Sequence, residues 1–423
     1  NDPFPWHLGA YDAHCHPTDT MASLSPSSVA ALRTRVLAIM ATRSQDQQLV
    51  ADVAAEHGVK ATDPDSESDS SAPKACKVVP AFGWHPWFSY QLYDDTVQNP
   101  TYNYRPSSSS TEGHDASAEQ EEDAKINHYM AVLSPKPEDR SFLSSLPTPT
   151  PLSSLIASTR EYLTSFPLAL VGEVGLDKGF RLPQQRPPGD DDYSRDENLT
   201  PGGREGRLLS PFRVRMQHQQ AVLQAQLRLA GEMGRAVSVH GVQAHGVLYD
   251  TIAACWKGHE KKVLSRRDNK RIAPGAEESS DDDDDDDDDE TASDNNDGSK
   301  AKKKKEEKSV GGKPFPPRIC LHSYSGSADM LKQWFHPAVP STIFASFSTG
   351  VNMSGGGGKD KLAGVVRAVP DDRVLVESDM HAAGEEAEAL LEDMYRFVCE
   401  VKGWGLDEGV ERIGRNFCRF IHG

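Results

Sequence analysis

The chain has 423 residues, of which 37% are hydrophobic, and a formal net charge of −18. Much of that charge is local: residues 277–297 hold fourteen acidic and no basic side chains, residues 300–308 hold six lysines against two glutamates, and the remainder carries −8. This excludes a nucleic-acid binder that works through a basic face, and any phosphate chemistry must rest on local cations such as metals.

Six scattered cysteines without a CxxC pair argue for a reducing compartment over a disulfide scaffold. No apolar run is long enough to span a membrane and no signal peptide opens the chain, so a soluble protein of the cytoplasm or nucleus is expected. In chain order, residues 9–14 read as a first strand stopped by Pro17. A helix start with proline near its first turn follows at 25–28. RVLAIMAT at 35–42 has the continuous apolar character of a buried parallel strand, and 45–57 has helical spacing ending at Gly58. KVVPAF at 77–82 is the third strand and runs into GWHPW at 83–87.

The connection 99–125 is rich in serine, proline and acid and reads as a flexible insertion. A helix at 152–165 precedes the strand LALVGE at 168–173, and 178–210 is a second, Pro/Gly/Asp/Arg-rich insertion. A long amphipathic helix at 212–233 leads to the strand AVSVH at 236–240, followed by a helix at 244–257. Residues 258–316, with nine consecutive aspartates and then a lysine cluster, bury almost nothing and are expected to be a disordered insertion. RICLH at 318–322, TIFASF at 342–347 and RVLVESD at 373–379 complete the strands, with helices at 328–335, 361–368, 385–401 and 406–421.

Eight apolar runs alternating with helices predict an α/β fold, specifically a (β/α)8 barrel of the TIM type occupying 1–423 with insertions in its connections. An open doubly wound sheet is the runner-up, but GxGxxG is missing after the first strand. In a barrel the carboxyl ends of the strands converge on one site. Read in order, those ends present His14 and His16, His85, Glu173, His240, His322 and Asp379. Residues i and i+2 of a strand share a face, so His14 and His16 project together, a pairing suited to a divalent transition metal. The histidines at 57, 114, 128, 259 and 422 fall on helices or loops and receive no role.

These residues sit in segments that resemble the TatD-type metal-dependent deoxyribonucleases, within the wider amidohydrolase superfamily. The matching stretches are DAHCH, GWHP, VGEVGLD, QLRLAGEMGRAVSVH, LHSYSG, LVESD and NFCRF, in order along the foldable chain and outside the insertions. The resemblance implies two divalent ions (Mg, Mn or Zn). It places His14, His16, Glu173 and Asp379 around one ion and Glu173, His240 and His322 around the other, with Glu173 bridging. It also implies Glu173 and Asp379 as the catalytic carboxylates, Asp379 acting on the water. His85 and Asp177 are candidates for phosphate contact and for orienting a ligand. Two such ions about 3.5–4 Å apart would steady the attacking and leaving oxygens of a phosphodiester.

The chain departs from the family pattern at Val242, where an arginine is usual, and at Met380-His381, where a serine-proline pair or similar is usual. His381 is the candidate that partly replaces the lost cation at the substrate. The functional expectation is a two-metal phosphodiesterase acting on DNA. The alternatives are a hydrolase of amides, lactones or other esters on the same scaffold, and an interaction protein that keeps the barrel and binds protein partners through its charged insertions.

Overall fold

The structure is a computed structural model, and it describes residues 2–19, 28–29, 31–60, 75–104, 114–185, 207–263, 312–353 and 358–423. The helix start expected at 25–28 lies almost entirely outside the described residues, as do the acidic and basic runs between 277 and 308 and most of the glycine run at 355–358.

The strands in chain order are β1 (Tyr11–Cys15), β2 (Val36–Met40), β3 (Lys77–Phe82), β4 (Leu92–Tyr93), β5 (Leu133–Ser134), β6 (Thr150–Pro151), β7 (Leu170–Asp177), β8 (Arg213–Val214), β9 (Val237–Val242), β10 (Arg318–Leu321), β11 (Thr342–Phe347) and β12 (Val374–Val376). Eight of them form one parallel sheet in the order β1-β2-β3-β7-β9-β10-β11-β12. The two ends of that sheet meet at the carboxyl side. There the Asp379 N–H donates to the His14 carbonyl (3.0 Å) and the His16 N–H donates to the Met380 carbonyl (2.8 Å). The (β/α)8 barrel expected from the alternating runs is therefore present, curled by the usual twist of parallel strands.

Between the barrel strands run α1 (Gln47–His57), α2 (His114–Val132), α3 (Arg140–Ser145), α4 (Leu152–Ser165), α5 (Met216–Glu232), α6 (His245–Trp256), α7 (Ala328–Trp334), α8 (Thr349–Asn352) and α9 (Gly358–Ala368). The chain closes with α10 (Glu385–Lys402) and α11 (Leu406–His422). Strand residues alternate between two layers. Leu37, Ile39, Val78, Phe82, Val171 and Val239 face the helices, while Ala38, Met40, Val79, Ala81, Leu170 and Leu375 fill the barrel. The amino end of the barrel is plugged by α11, whose Phe417, Phe420 and Ile421 join that inner cluster. Asn416 and Arg318 hold the plug. The Asn416 amide donates to the Val374 carbonyl (2.9 Å), and the Arg318 guanidinium donates to the carbonyls of Phe420 (2.8 Å) and Ile421 (3.1 Å). With the bottom sealed, the strand ends at the top are left for chemistry.

Two bulges aim the site. Along β1, Asp12 pairs with Leu37 and Cys15 with Ile39, so β1 spends three steps where β2 spends two. Along β7, Val171 pairs with Val237 and Val174 with Val239, the same extra residue against β9. A bulge turns the local side chain away from strict alternation, and these two lie at His14 and at Glu173. Close approach follows at Gly175, where a Cβ would stand 2.0 Å from the His240 carbonyl oxygen. Only glycine lets β7 run that tightly against β9.

The connection expected to be flexible needs correcting in its second half. Residues 114–125 belong to α2, and the same region adds α3, where the Asp139 carboxylate caps the helix by accepting from the N–H groups of Ser141 (2.9 Å) and Phe142 (3.2 Å). Tyr90, Ile126, Tyr129, Leu133, Phe142, Phe180, Leu182 and Val214 form a satellite core beside the mouth. The ends of the 178–210 insertion are paired too: the Leu182 N–H donates to the Phe212 carbonyl (2.9 Å) and the Ser210 N–H to the Leu182 carbonyl (2.7 Å). Apolar residues spaced among polar ones carried too little periodicity to reveal this lobe, whose core is assembled from four separate segments.

Candidate metal centre

Glu173 stands at the middle of the barrel mouth, delivered by the bulge in β7, and its two carboxylate oxygens face two different groups of imidazoles. Oε2 lies 3.1 Å from His16 Nε2 and 3.3 Å from His14 Nε2, and those two nitrogens are 3.0 Å apart. Oε1 lies 2.8 Å from His240 Nδ1, 3.0 Å from His322 Nε2 and 3.2 Å from His85 Nε2. Asp379 Oδ1 completes the first group at 3.5 Å from His16 Nε2 and 3.9 Å from His14 Nε2. All seven side chains read from the strand ends are thus brought together, and all except Asp379 are buried.

Nitrogens and carboxylate oxygens converging on common points are what a divalent ion requires. His14, His16 and Asp379 form one compact trio of ligand-type atoms, His85, Glu173 and His240 another, and His14, His322 and Glu377 a third. The back of most rings is held as well. The outer nitrogen of His14 meets Ser238 Oγ at 2.8 Å, that of His240 meets Asp177 Oδ2 at 3.0 Å, and that of His322 meets Glu377 Oε1 at 3.1 Å. Such backing fixes ring orientation and tautomer so that the inner nitrogen keeps its lone pair.

The electrostatics point the same way. Burial alone would lower the His16 and His240 pKa values, but Asp379 and Glu173 push His16 up to about 10, and Asp177 and Glu173 push His240 up to about 9. Burial opposes ionisation of Glu173, yet the imidazoles of His85, His322 and His14 hold its carboxyl well below the usual range. The carboxylates therefore demand positive charge where the ring nitrogens converge, and the donor set fits divalent ions.

His85 stands apart by its hydrogen bonding. Its Nδ1 accepts the Trp87 N–H at 3.1 Å, capping the short 3-10 helix Pro86–Gln91. Burial lowers its pKa to about 4, so the ring is neutral and its one proton sits on Nε2. A protonated nitrogen is a donor, not a ligand, and Nε2 points at the Glu173 oxygen and the cleft.

Asp177 is engaged on both oxygens. Oδ1 accepts from the N–H groups of Gly179 (2.7 Å) and Phe180 (2.8 Å), and Oδ2 receives the Trp87 indole N–H (2.6 Å) besides meeting His240. The hydrogen bonds from His240 and Trp87 outweigh burial and keep it ionised. His381 stacks on His16 with ring centroids 5.2 Å apart, and its Nδ1 lies 3.7 Å from Asp19 Oδ2. Val242 lines the cleft, and no lysine or arginine is among the described residues that line it. The cleft itself holds about 360 Å³.

Three residues were not singled out from the sequence. Glu377, fully buried, accepts from Ser323, Ser346 and His322. Asp12 accepts from the Ser378 N–H (3.0 Å), the Ser378 hydroxyl and the His14 N–H (3.2 Å), and so ties β1 to the turn carrying Asp379. That turn leaves the strand after Val376, and Asp379 takes φ +55°, a left-handed conformation unusual outside glycine. Ser238 backs His14 from the position two before His240. A polar residue inside an apolar strand run was the available signal for all three, since such a residue must find a buried partner.

Cys15 points to the opposite side, into the strand–helix layer, with its thiol 3.5 Å from the Ala38 carbonyl. Burial, with Asp12 next, raises its pKa well above the ordinary thiol value, which keeps it a thiol. Cys15→Ala is expected to retain the full metal content of the wild type by elemental analysis. Loss of one metal equivalent would make Cys15 a ligand.

A nearly closed parallel barrel with histidines and carboxylates gathered at the carboxyl ends of its strands defines a metal-dependent hydrolase. Comparison with known proteins narrows this: the signature of the family described as TatD related DNase matches residues 11–422, and the chain belongs to that family. Its relatives include the Cut9-interacting protein scn1 of Schizosaccharomyces pombe, 35% identical over 414 residues that cover 97% of this chain and 98% of the relative. An uncharacterized deoxyribonuclease of Saccharomyces cerevisiae is 24% identical over 359 residues, 81% of this chain and 82% of its own. Among solved structures, an uncharacterized amidohydrolase from Saccharomyces cerevisiae is similar at 11% identity and a TM-score of 0.49, with 99% of this chain and 100% of that chain covered. Among the described residues, no helix is long and apolar enough to cross a membrane.

Proposed function

We propose that the chain is a two-metal phosphodiesterase that hydrolyses DNA from strand ends. The observation that carries this reading is the division of Glu173, with Oε2 turned to His14 and His16 and Oε1 turned to His240 and His322. His14, His16, Glu173 and Asp379 would hold one ion and Glu173, His240 and His322 the other. Divalent ions held there would supply Lewis acidity toward the phosphate and would make water a stronger acid.

The chain's own groups do the rest. Asp379, the carboxylate most open to the cleft, receives the proton of the attacking water. His85 lines the cleft with its Nε2–H on Glu173 Oε1, and that neutral donor is the group proposed to turn to a phosphate oxygen when substrate binds. Asp177 and Glu377 position His240 and His322 from behind. His381 lines the same cleft as Val242 and stacks on His16. A cleft of about 360 Å³ admits a nucleotide-sized group and excludes a duplex, which favours strand ends. The test is metal stoichiometry on purified protein together with a screen of oligonucleotides, carboxylic esters, lactones and amides. Hydrolysis of esters or amides with no oligonucleotide cleavage would replace DNA as the substrate class.

A protein partner is a second reading, favoured by the name of the fission-yeast relative, which describes it as interacting with Cut9. The charged run 277–308 is the segment proposed to serve it, in the cytoplasm or nucleus. Co-purification from cells with and without that run tests this. Equal recovery of partners from both would remove it.

A further inference from the structure

Among the described residues, Trp87 is the one large aromatic side chain that lines the cleft while only partly buried, and it is pinned in place from several sides. Its ring stacks on Phe180 with centroids 4.9 Å apart and planes 14° from parallel. Its indole N–H is spent on Asp177 Oδ2 at 2.6 Å. It makes T-shaped contacts with the rings of His85, at 4.6 Å and 75°, and His240, at 6.1 Å and 78°. The neighbouring Phe88 also lines the cleft but is buried, with the Arg43 guanidinium 4.7 Å from its ring centre. One face of Trp87 is therefore covered by Phe180, and the partly exposed ring lines the cleft beside the proposed metal ligands.

The polar inventory of the cleft makes that surface count. No lysine or arginine is among the described lining residues, so those residues offer a substrate no such cation. Beyond the reacting phosphate, the described walls offer apolar contact through Val242, Val351, Met380 and the Trp87 ring, beside the hydroxyls of Ser323 and Ser325. A ring already immobilised by stacking and by its N–H loses no rotamer freedom when a planar group docks on it. Base–aromatic stacking is strong enough to change affinity about ten- to a hundredfold, and it tolerates any base because each has a π-face.

We propose that Trp87 is the stacking platform for the nucleobase adjoining the scissile phosphodiester, and so sets the preference for nucleoside over simple phosphodiesters. The proposal rests on the phosphodiesterase reading above. It differs from a purely supporting role in which Trp87 does no more than orient Asp177 through its N–H.

Two variants separate these roles. Trp87→Phe keeps an aromatic ring and removes the N–H, whereas Trp87→Leu removes both. The probes are thymidylyl-thymidine and its two analogues in which one or the other base is replaced by hydrogen. For the wild type, KM is expected to rise about tenfold or more on loss of one of the two bases. In Trp87→Leu that ratio should collapse toward one, and in Trp87→Phe most of it should survive. Equal KM for all three probes in the wild type overturns the stacking proposal and leaves the phosphodiesterase reading standing. An undiminished ratio in Trp87→Leu also overturns it. So does equal impairment of both variants on every probe with a matching loss of metal, which assigns Trp87 to orienting Asp177. Hydrolysis of none of the probes by the wild type overturns both readings.

Discussion

Glu173→Gln is expected to lose at least one metal ion and nearly all hydrolysis while the barrel stays folded. The substitution keeps the shape of the side chain and removes its charge. In the wild type, five imidazoles have a ring nitrogen within 3.3 Å of this carboxylate, and its two oxygens face two different groups of them. A glutamine there replaces one oxygen by an NH2 that can only donate. Breaking one member of a buried charged constellation costs about 3–5 kcal/mol, which is roughly a 10²- to 10⁴-fold loss of metal affinity. Elemental analysis after dialysis reads the stoichiometry, circular dichroism reads the fold, and turnover on single-stranded oligonucleotides reads the chemistry. Both metals retained with near-normal turnover would end the two-metal reading.

Asp379→Asn should differ in kind, losing rate more than metal. Its Oδ1 stands 3.5 and 3.9 Å from His16 and His14, farther than Glu173 Oε2 at 3.1 and 3.3 Å, and its side chain is 16% exposed against 3% for Glu173. A carboxylate set back from the imidazoles and open to the cleft is placed to take a proton. Removing a general base slows turnover about 10²- to 10⁴-fold. The backbone that carries Asp379 is held independently of its charge, by the Asp379 N–H to the His14 carbonyl and by Asp12 on Ser378. The asparagine should therefore sit where the aspartate does. Wild-type turnover in Asp379→Asn would assign the base elsewhere, and metal loss as complete as in Glu173→Gln would make Asp379 a ligand first.

The partial exposure of Trp87 and the pairing of Asp177 were invisible along the chain for a simple reason. Trp87 meets Phe180 across 93 positions, and Asp177 meets His240 across 63. Neither separation leaves any periodic trace. The satellite lobe was missed likewise, because α2, α3, β5 and β8 each bury only a few side chains and share a core only when assembled. Asp177, grouped from the sequence with residues that contact a ligand, has both oxygens occupied by protein groups, and its proposed role is therefore to hold His240.

What the sequence by itself determined was the architecture and the chemical types at the mouth. Apolar runs such as VLAIM and KVVPAF mark buried parallel strands locally, and a histidine or carboxylate at the end of such a run must arrive at the barrel's carboxyl face. What only the tertiary structure decided was the division of labour there. Which oxygen of Glu173 faces which imidazole depends on bulges in β1 and β7, and those are properties of register between strands. The left-handed turn at Asp379, its anchoring by Asp12 from the far end of the chain, and the backing of His322 by Glu377 depend equally on contacts between distant segments. Alternation within one strand can state that a side chain points inward, but the atom it meets is set by the neighbouring strand.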